Sequence, residues 1–145
     1  MRADLKIETF GWGDPQTDAA RAVRQRVFID EQQVPEELEW DDDDEICIHA
    51  LASVAGQPVA TGRLLQRADD GKIGRMAVIA AYRGMGVGAK LLEHLMREAE
   101  DAGLRKLFLS AQTYAVPFYA RYGFVAEGDE YLDAGIPHRD MRRAI

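Results

Sequence analysis

The N-terminal part of the chain shows first a strand pattern and then a helix pattern. Apolar Leu5 and Ile7 alternate with charged residues up to the Gly11-Trp12-Gly13 stretch, which predicts a β-strand ending at a turn. From about residue 15 to residue 31 apolar residues recur every three or four positions, which predicts an amphipathic helix. Pro35 follows this helix and stops it.

The next segments predict a hairpin and a third strand. Residues 32–45 show neither the helix nor the strand repeat of apolar residues, and they are strongly acidic. We expect this segment to be irregular and to lie over the surface of the sheet. Residues 46–54 and 59–67 alternate around a Gly56-Gln57-Pro58 turn, which indicates two antiparallel strands. Residues 72–79 then predict a third strand that leads into a glycine-rich stretch.

The second half of the chain predicts a βαβ unit and a C-terminal hairpin. A helix beginning near Gly86 carries an apolar stripe and stops at Gly103, and residues 104–110 form a buried-looking strand. The strands before and after this helix should therefore be parallel neighbours. A short aromatic helix follows over about residues 114–122. Two further strands are expected after Phe124, with turns at residues 128–130 and 133–137.

Composition fits one globular domain spanning residues 1–145. The chain is 47% hydrophobic and 30% charged, and it has no run approaching the roughly 18 apolar residues that a membrane span requires. We therefore expect a cytoplasmic protein without membrane partners, as a monomer or homodimer. A single cysteine, Cys47, excludes an internal disulfide framework and a multi-cysteine metal site.

The charge of −7 is concentrated in one segment. Residues 36–45 supply eight of the 25 acidic residues, and the remaining 17 acids nearly balance 18 bases. Nucleic acid is a disfavoured partner, because binding phosphates needs a basic surface. The acidic segment is compatible with a cationic substrate, but charge runs of this kind are usually solvated loops, and that is our expectation for its structure.

The stretch Arg83-Gly84-Met85-Gly86-Val87-Gly88 has the chemistry of a phosphate-binding loop, although it could also be only a flexible turn. Three glycines at alternate positions permit backbone with positive φ and close approach of a ligand, and the following helix offers free N–H groups. A nucleotide P-loop is excluded because Ala89-Lys90-Leu91 follows the last glycine, where that motif needs Lys and a hydroxyl. The G-x-G-x-G spacing also differs from the dinucleotide fingerprint.

The spacing of Arg83, Gly86 and Gly88 resembles motif A of the GNAT acyltransferase superfamily. A second segment, residues 115–124 with Phe118-Tyr119 and a closing Gly-Phe, resembles motif B of that superfamily. Residues 27–32 and 134–138 are similar to the ElaA-like branch. The resemblance covers the whole chain and implies a single N-acetyltransferase domain of α/β (α+β type) fold, with a mixed twisted sheet of six or seven strands and helices on both faces.

The resemblance also implies a cofactor site and no metal. Acetyl-coenzyme A would be the co-substrate, its pyrophosphate lying on the amides from Met85 to Ala89 and its pantetheine arm along a splayed strand. Gln112 stands where many members carry Asn and where ElaA-like members often have Gln. The residues expected to bind the cofactor are Met76, Ala77, Val78, Arg83, Gly84, Met85, Gly86, Val87, Gly88, Ala89, Gln112, Phe118 and Tyr119.

The resemblance further implies that the backbone N–H of Val78 polarises the thioester carbonyl and that Tyr119 is the general acid. A phenol with a pKa of about 10 donating to a thiolate with a pKa of about 8.5 faces a cost of roughly 2 kcal/mol. The sequence does not identify the general base, and a water chain could serve in place of a side chain. The side chains weighed for that role are Glu31, His49, Glu130, Asp133 and His138, with Glu31 and His138 foremost.

The predicted reaction is direct transfer of an acetyl group to a primary amine of a small molecule or peptide. An alternative is a non-catalytic sensor or scaffold that binds acyl-coenzyme A, which would need no proton donor at Tyr119. A different acyl group is a further alternative. An acyl-carrying role for Cys47 is the least favoured, because no base is paired with it in the sequence.

Overall fold

A computed structural model describes residues 4–145 as one seven-stranded sheet with four α-helices. The strands are β1 Leu5–Gly11, β2 Ile48–Val54, β3 Gln57–Arg67, β4 Asp70–Val78, β5 Lys106–Gln112, β6 Val125–Asp133 and β7 Ile136–Ala144. The α-helices are α1 Gln16–Arg24, α2 Glu36–Glu39, α3 Val87–Asp101 and α4 Val116–Ala120. Within the described residues, no helix combines the length and apolar character needed to cross a membrane.

The sheet is mixed, with strand order β1-β2-β3-β4-β5-β7-β6. β4 and β5 are parallel and are joined through α3, whereas every other neighbouring pair is antiparallel. The predicted βαβ unit is therefore confirmed. The apolar stripe of α3 is what fixes this helix to the sheet, because Leu91, Leu92 and Leu95 are fully buried in the main core.

A β-bulge bends β4 away from β5. The pairing of β4 with β3 shifts register between Thr61 and Arg63, and Arg75 on the bulged side has φ of +50°. β4 pairs with β5 only from Asp70 to Ile73. Beyond this point β4 and β5 separate, whereas β5 stays paired with β7 on its other edge from Lys106 to Gln112. The splay implied by the family resemblance is thus present in the fold.

The glycine opposite the bulge is required by packing. A Cβ added at Gly62 would lie 2.7 Å from the Met76 sulfur and 2.9 Å from a methyl carbon of Leu95. Both distances are far below normal contact, so Gly62 lets the bulged strand and α3 approach each other closely.

The predicted helix over residues 15–31 changes its winding part-way. α1 is regular up to Arg24, and residues Gln25–Glu31 continue it as a π-helix. Such π-helical turns are rare and often mark functional sites. Here the π-helix ends at Glu31, and the following Gln32 lies beside the opening between β4 and β5.

The acidic segment is docked on the protein rather than solvated. It forms α2 and a 3₁₀ turn over Asp42–Glu45, and Glu39 and Asp44 are only 3% and 2% exposed. The expectation of a solvated loop is therefore wrong for these residues. These two acids are buried because arginines on three other elements supply the compensating charge.

Three arginines and three carboxylates form one charge-balanced network. Arg24 donates to Glu39 at 2.6 Å and to Asp44 at 2.7 Å. Arg63 donates to Asp44 at 2.8 Å and to Asp41 at 2.7 Å. Arg75 pairs with Asp41 at 3.1 Å and with Glu39 at 3.5 Å. We call these six residues the arginine–acid network.

Aromatic rings and hydrogen bonds complete the docking of this segment. The Arg24 guanidinium lies 4.8 Å from the centre of Trp40 and 5.7 Å from that of Trp12. Hydrogen bonds from Arg63 lower the pKa of Asp41 to about 2, whereas burial raises the pKa of Glu39. The stabilisation from Asp41 is complete above its ordinary pKa of 3.8 and is lost as the pH falls to about 2.

The C-terminal hairpin differs from expectation at one turn. The predicted turn at residues 128–130 is wrong, since β6 runs through it with a register shift between Glu127 and Tyr131. Gly128 has φ of +74°, so the glycine marks a bulge inside a strand rather than a chain reversal. The reversal at Ala134-Gly135 is found as predicted.

We expect Asp44→Asn to lower the free energy of unfolding by about 3 kcal/mol, because it leaves the buried Arg24 and Arg63 without their shared carboxylate. Asp42→Asn is the matched control, since Asp42 is exposed on the same 3₁₀ turn. Urea unfolding measures both. A loss of less than about 0.5 kcal/mol for Asp44→Asn would show that the network does not hold the acidic segment.

Candidate active site

A cleft of about 1040 Å³ occupies the opening between β4 and β5. Its walls come from the ends of both strands, α4, the glycine loop, the π-helix and the acidic segment. Eleven of the thirteen residues predicted to bind the cofactor line it. These eleven are Met76, Ala77, Val78, Arg83, Gly84, Gly86, Gly88, Ala89, Gln112, Phe118 and Tyr119.

The glycine loop leads directly into the N-terminus of α3. Gly84 and Gly86 have φ of +76° and +81°, as the glycine pattern predicts. Gly88 does not, because it already lies in the helix; a Cβ there would come 3.5 Å from a Val78 methyl carbon. The side chain of Met85 is exposed and that of Val87 is in the core, so any ligand contact from these two would be through the backbone.

No side chain caps the N-terminus of α3. Gly86 occupies the cap position in the left-handed conformation, and it has no side chain to offer. The first N–H groups of a helix lack partners within the helix, and the helix dipole adds a partial positive charge there. At residues 86–89 the cleft therefore presents free N–H groups of the kind that bind anions in proteins.

The hydrogen-bonding register directs the Val78 N–H away from β3. Val78 lies opposite Ala60, and the next residue, Ile79, donates its N–H to the Val59 carbonyl at 2.9 Å. Bonded and non-bonded residue pairs alternate along antiparallel strands. The Val78 N–H consequently points to the side where β5 has separated, which is the side of the cleft.

Tyr119 stands on α4 with its ring packed among aromatic neighbours. Its ring centre is 5.0 Å from that of Phe118 and 6.1 Å from that of Phe124, both in edge-to-face arrangements. Burial raises the pKa of Tyr119 to about 12, above the value of 10 assumed from the sequence. The phenol therefore keeps its proton throughout the neutral and mildly alkaline range.

Arg83 is held by two groups on different elements. Its Nε donates to the Val78 carbonyl at 2.9 Å, and its two terminal nitrogens donate to the carboxylate of Glu31, one of them at 2.7 Å. These bonds from Arg83 lower the pKa of Glu31. Glu31 is consequently a poorer proton acceptor than its residue type alone indicates.

Gln112 and His138 face each other across neighbouring strands. The Gln112 amide donates to the Gln32 side-chain oxygen at 2.7 Å. His138 is 8% exposed, and its Nδ1 contacts the Ile136 carbonyl at 2.7 Å. A carbonyl only accepts, so Nδ1 carries the proton and Nε2 of the neutral ring is the acceptor. Gln32 was missed by sequence reasoning, because one polar residue at a helix end carries no distinctive signal.

A hydroxyl network lies beside His138 on the same face of the sheet. The hydroxyls of Ser110 and Tyr131 contact each other, and the Tyr131 hydroxyl donates to Asp140 at 2.6 Å. The Tyr131 and His138 rings are stacked with centres 6.1 Å apart. The sequence shows no spacing that would connect these residues, because the register of three strands brings them together.

The family profile described as an acetyltransferase (GNAT) domain matches residues 14–145. The chain belongs to the GNAT acetyltransferase family. It is 39% identical over 122 residues to a Bacillus subtilis protein named "Uncharacterized N-acetyltransferase YjcF". The aligned residues cover 83% of this chain and 87% of that relative.

Solved structures show the same fold over nearly the whole chain. An acyl-CoA N-acyltransferase from Pseudomonas aeruginosa is 36% identical, with a TM-score of 0.87 over 97% of this chain and 99% of the other. Escherichia coli ElaA is 27% identical, with a TM-score of 0.86 over 96% and 99% of the two chains. This GNAT enzyme therefore has the single-domain α+β fold of the ElaA-like branch, and acyl transfer from acyl-CoA is its general chemistry.

Four residues considered for catalysis do not line the cleft of this acetyltransferase: Glu31, Cys47, His49 and Glu130. His49 is 1% exposed, stacks on Phe10 and Trp12, and donates from Nε2 to the Asp44 carbonyl at 2.8 Å. Burial lowers the pKa of His49, so it is a structural residue that stays neutral.

Within residues 4–145 no group of three or more His, Cys, Asp or Glu side chains could hold a metal ion.

Cys47 should be chemically silent in the folded protein. It is buried, and burial raises the pKa of its thiol to about 11, so the thiol keeps its proton at pH 8. We expect a thiol-reactive disulfide reagent to label Cys47 quickly only after the protein is unfolded. We also expect Cys47→Ala to keep full turnover. Rapid labelling of the native protein, or loss of turnover in Cys47→Ala, would reinstate it as an acyl carrier.

Proposed function

We propose that this GNAT enzyme transfers an acetyl group from acetyl-CoA to a primary amine of a small molecule or peptide by direct attack. The observation that supports this most is the Val78 N–H directed into the gap between β4 and β5, with Tyr119 and the anion-binding loop on the same cleft. Acetyl-CoA supplies the acyl group, and the residues of the cleft bind it, orient it and move the protons.

The loop end of the cleft fits the pyrophosphate of coenzyme A. It combines the uncapped N-terminus of α3, two glycines with positive φ, and the guanidinium of Arg83. Gly88 packs this helix end beside Val78 and Phe118, and a Cβ there would be in ordinary contact with both, at 3.5 and 3.9 Å. A pyrophosphate is bound by such backbone N–H groups and by a planar guanidinium.

The Val78 N–H is proposed as the donor to the thioester carbonyl. It belongs to a strand fixed on its other edge by β3, so its direction is set before the substrate binds. A pre-oriented donor of this kind contributes about 3–4 kcal/mol to stabilising the developing oxyanion.

Tyr119 is proposed as the proton donor to the departing thiolate. Its raised pKa increases the apparent cost of proton transfer to the thiolate, whose conjugate thiol has a pKa of about 8.5, from roughly 2 to roughly 5 kcal/mol. Burial, however, also raises the pKa of thiols. A thiolate leaving inside the same cleft is therefore destabilised together with the phenolate, which reduces the difference between the two pKa values.

His138 is proposed as the general base in preference to Glu31. Its Nε2 is left as an acceptor by the Nδ1 contact with the Ile136 carbonyl, and the residue lines the cleft. The Glu31 carboxylate is already paired with Arg83, which lowers its pKa and makes it a weaker base. Among the other carboxylates considered, Asp133 lines the cleft and exposed Glu130 does not.

A cationic acceptor would not be bound by the arginine–acid network, because those carboxylates already face arginines. Asp43, Asp70 and Asp133 are the acids on the cleft outside the network, and Asp43 pairs with Arg67 at 3.8 Å. Asp70 and Asp133 are the side chains we propose for attracting an ammonium group before it loses its proton. The same cleft carries the apolar side chains of Leu38, Leu65 and Phe108.

Tyr119→Phe tests this function. We expect turnover, followed as thiol release from acetyl-CoA with a panel of amines, to fall about 100-fold or more, while affinity for CoA stays within about twofold. Thermal unfolding reports the affinity, because CoA at 100 times its Kd adds about 2.7 kcal/mol.

Tyr114→Phe is the matched control, since Tyr114 lies on the same cleft but is 78% exposed, and its turnover should not change. Unchanged turnover in Tyr119→Phe would remove Tyr119 from the mechanism. Absence of any stabilisation by CoA would contradict the proposed co-substrate, and CoA binding without turnover for any amine would favour the scaffold alternative.

A further inference from the structure

Arg83 is the cation nearest the start of the glycine loop, yet its charge is already matched. Glu31 receives hydrogen bonds from both terminal nitrogens of the Arg83 guanidinium, and both side chains are 41% exposed at the rim of the cleft. The two residues are 52 positions apart, so the contact joins the end of the π-helix to the loop after β4.

The guanidinium has five N–H groups, and three are in use. Nε donates to Val78, and one N–H on each terminal nitrogen donates to Glu31. A carboxylate bound across both terminal nitrogens occupies the edge that would bind a phosphate in the same two-bonded way. Glu31 and a phosphate also repel each other, because both are negatively charged.

We infer that Glu31 is a positioning residue that holds Arg83 in the ligand-free enzyme and yields it to the pyrophosphate of CoA. This rests on the proposed function. The Nε contact with Val78 keeps the arginine beside the splay, while its terminal nitrogens exchange one anion for another. Glu31 therefore lowers the affinity for CoA and keeps Arg83 oriented before binding.

The C-terminal end of the π-helix does not have to move when Glu31 releases Arg83. The adjacent Gln32 is held independently by Gln112 on β5, and the Val34 N–H donates to the Phe28 carbonyl at 2.8 Å. The exchange is thus confined to the Glu31 side chain. Exposed ion pairs contribute modestly, so removing the Glu31 charge should lower the Kd for CoA by about two- to fivefold.

The test measures CoA binding by calorimetry at low salt for wild type, Glu31→Gln and Asp30→Asn. Asp30 is the neighbouring acid, and its carboxylate accepts from Gln25 rather than Arg83, so Asp30→Asn removes the same charge without touching the pair. We expect tighter binding in Glu31→Gln than in Asp30→Asn, with the difference shrinking as salt increases.

A double substitution isolates the exchange from general charge repulsion. In an Arg83→Gln background, adding Glu31→Gln should change the Kd no more than Asp30→Asn does. Binding in Glu31→Gln that equals Asp30→Asn, or is weaker than wild type, overturns the inference, as does a gain that persists in full without Arg83. If wild type binds no CoA, the proposed function itself fails and this inference fails with it.

Discussion

The bulge at Arg75 is the constraint on which the active cleft depends. Without the extra residue in β4, this strand would continue to pair with β5 beyond Ile73, and the gap that holds the predicted ligand would be closed by hydrogen bonds. A non-glycine residue with φ of +50° costs about 1–2 kcal/mol. Nearby contacts must hold the backbone in that conformation.

The arginine–acid network supplies those contacts. The Arg75 side chain donates to Asp41 and to the carbonyls of Leu38 and Glu39, at 3.1, 3.3 and 3.2 Å. The bulged residue therefore also anchors the acidic segment that walls the cleft. One set of charges stabilises the bend in the strand and the position of the wall, and this explains why so acidic a segment is partly buried.

Local patterns predicted most of the fold, and the parts they missed depend on distant contacts. The hairpin, the βαβ unit and the glycine loop are encoded by neighbouring residues, and the structure has them where the sequence predicts. The bulge at Arg75, the burial of Asp44 and the continuation of β6 through Gly128 depend on partners many residues away. The site follows the same division. Tyr119 and Gly86 stand in recognisable motifs, whereas the pairing of Glu31 with Arg83 and of Gln32 with Gln112 could only be seen in three dimensions.

We expect the backbone of β4 to bind CoA through the edge that β5 has left free. Amide hydrogen exchange at Val78, with Ile79 as the internal reference, measures this directly, since the Ile79 N–H is already bonded to Val59. We expect saturating acetyl-CoA to slow exchange at Val78 markedly more than at Ile79. Equal effects at the two amides, or no slowing at Val78 when acetyl-CoA is bound, would contradict it.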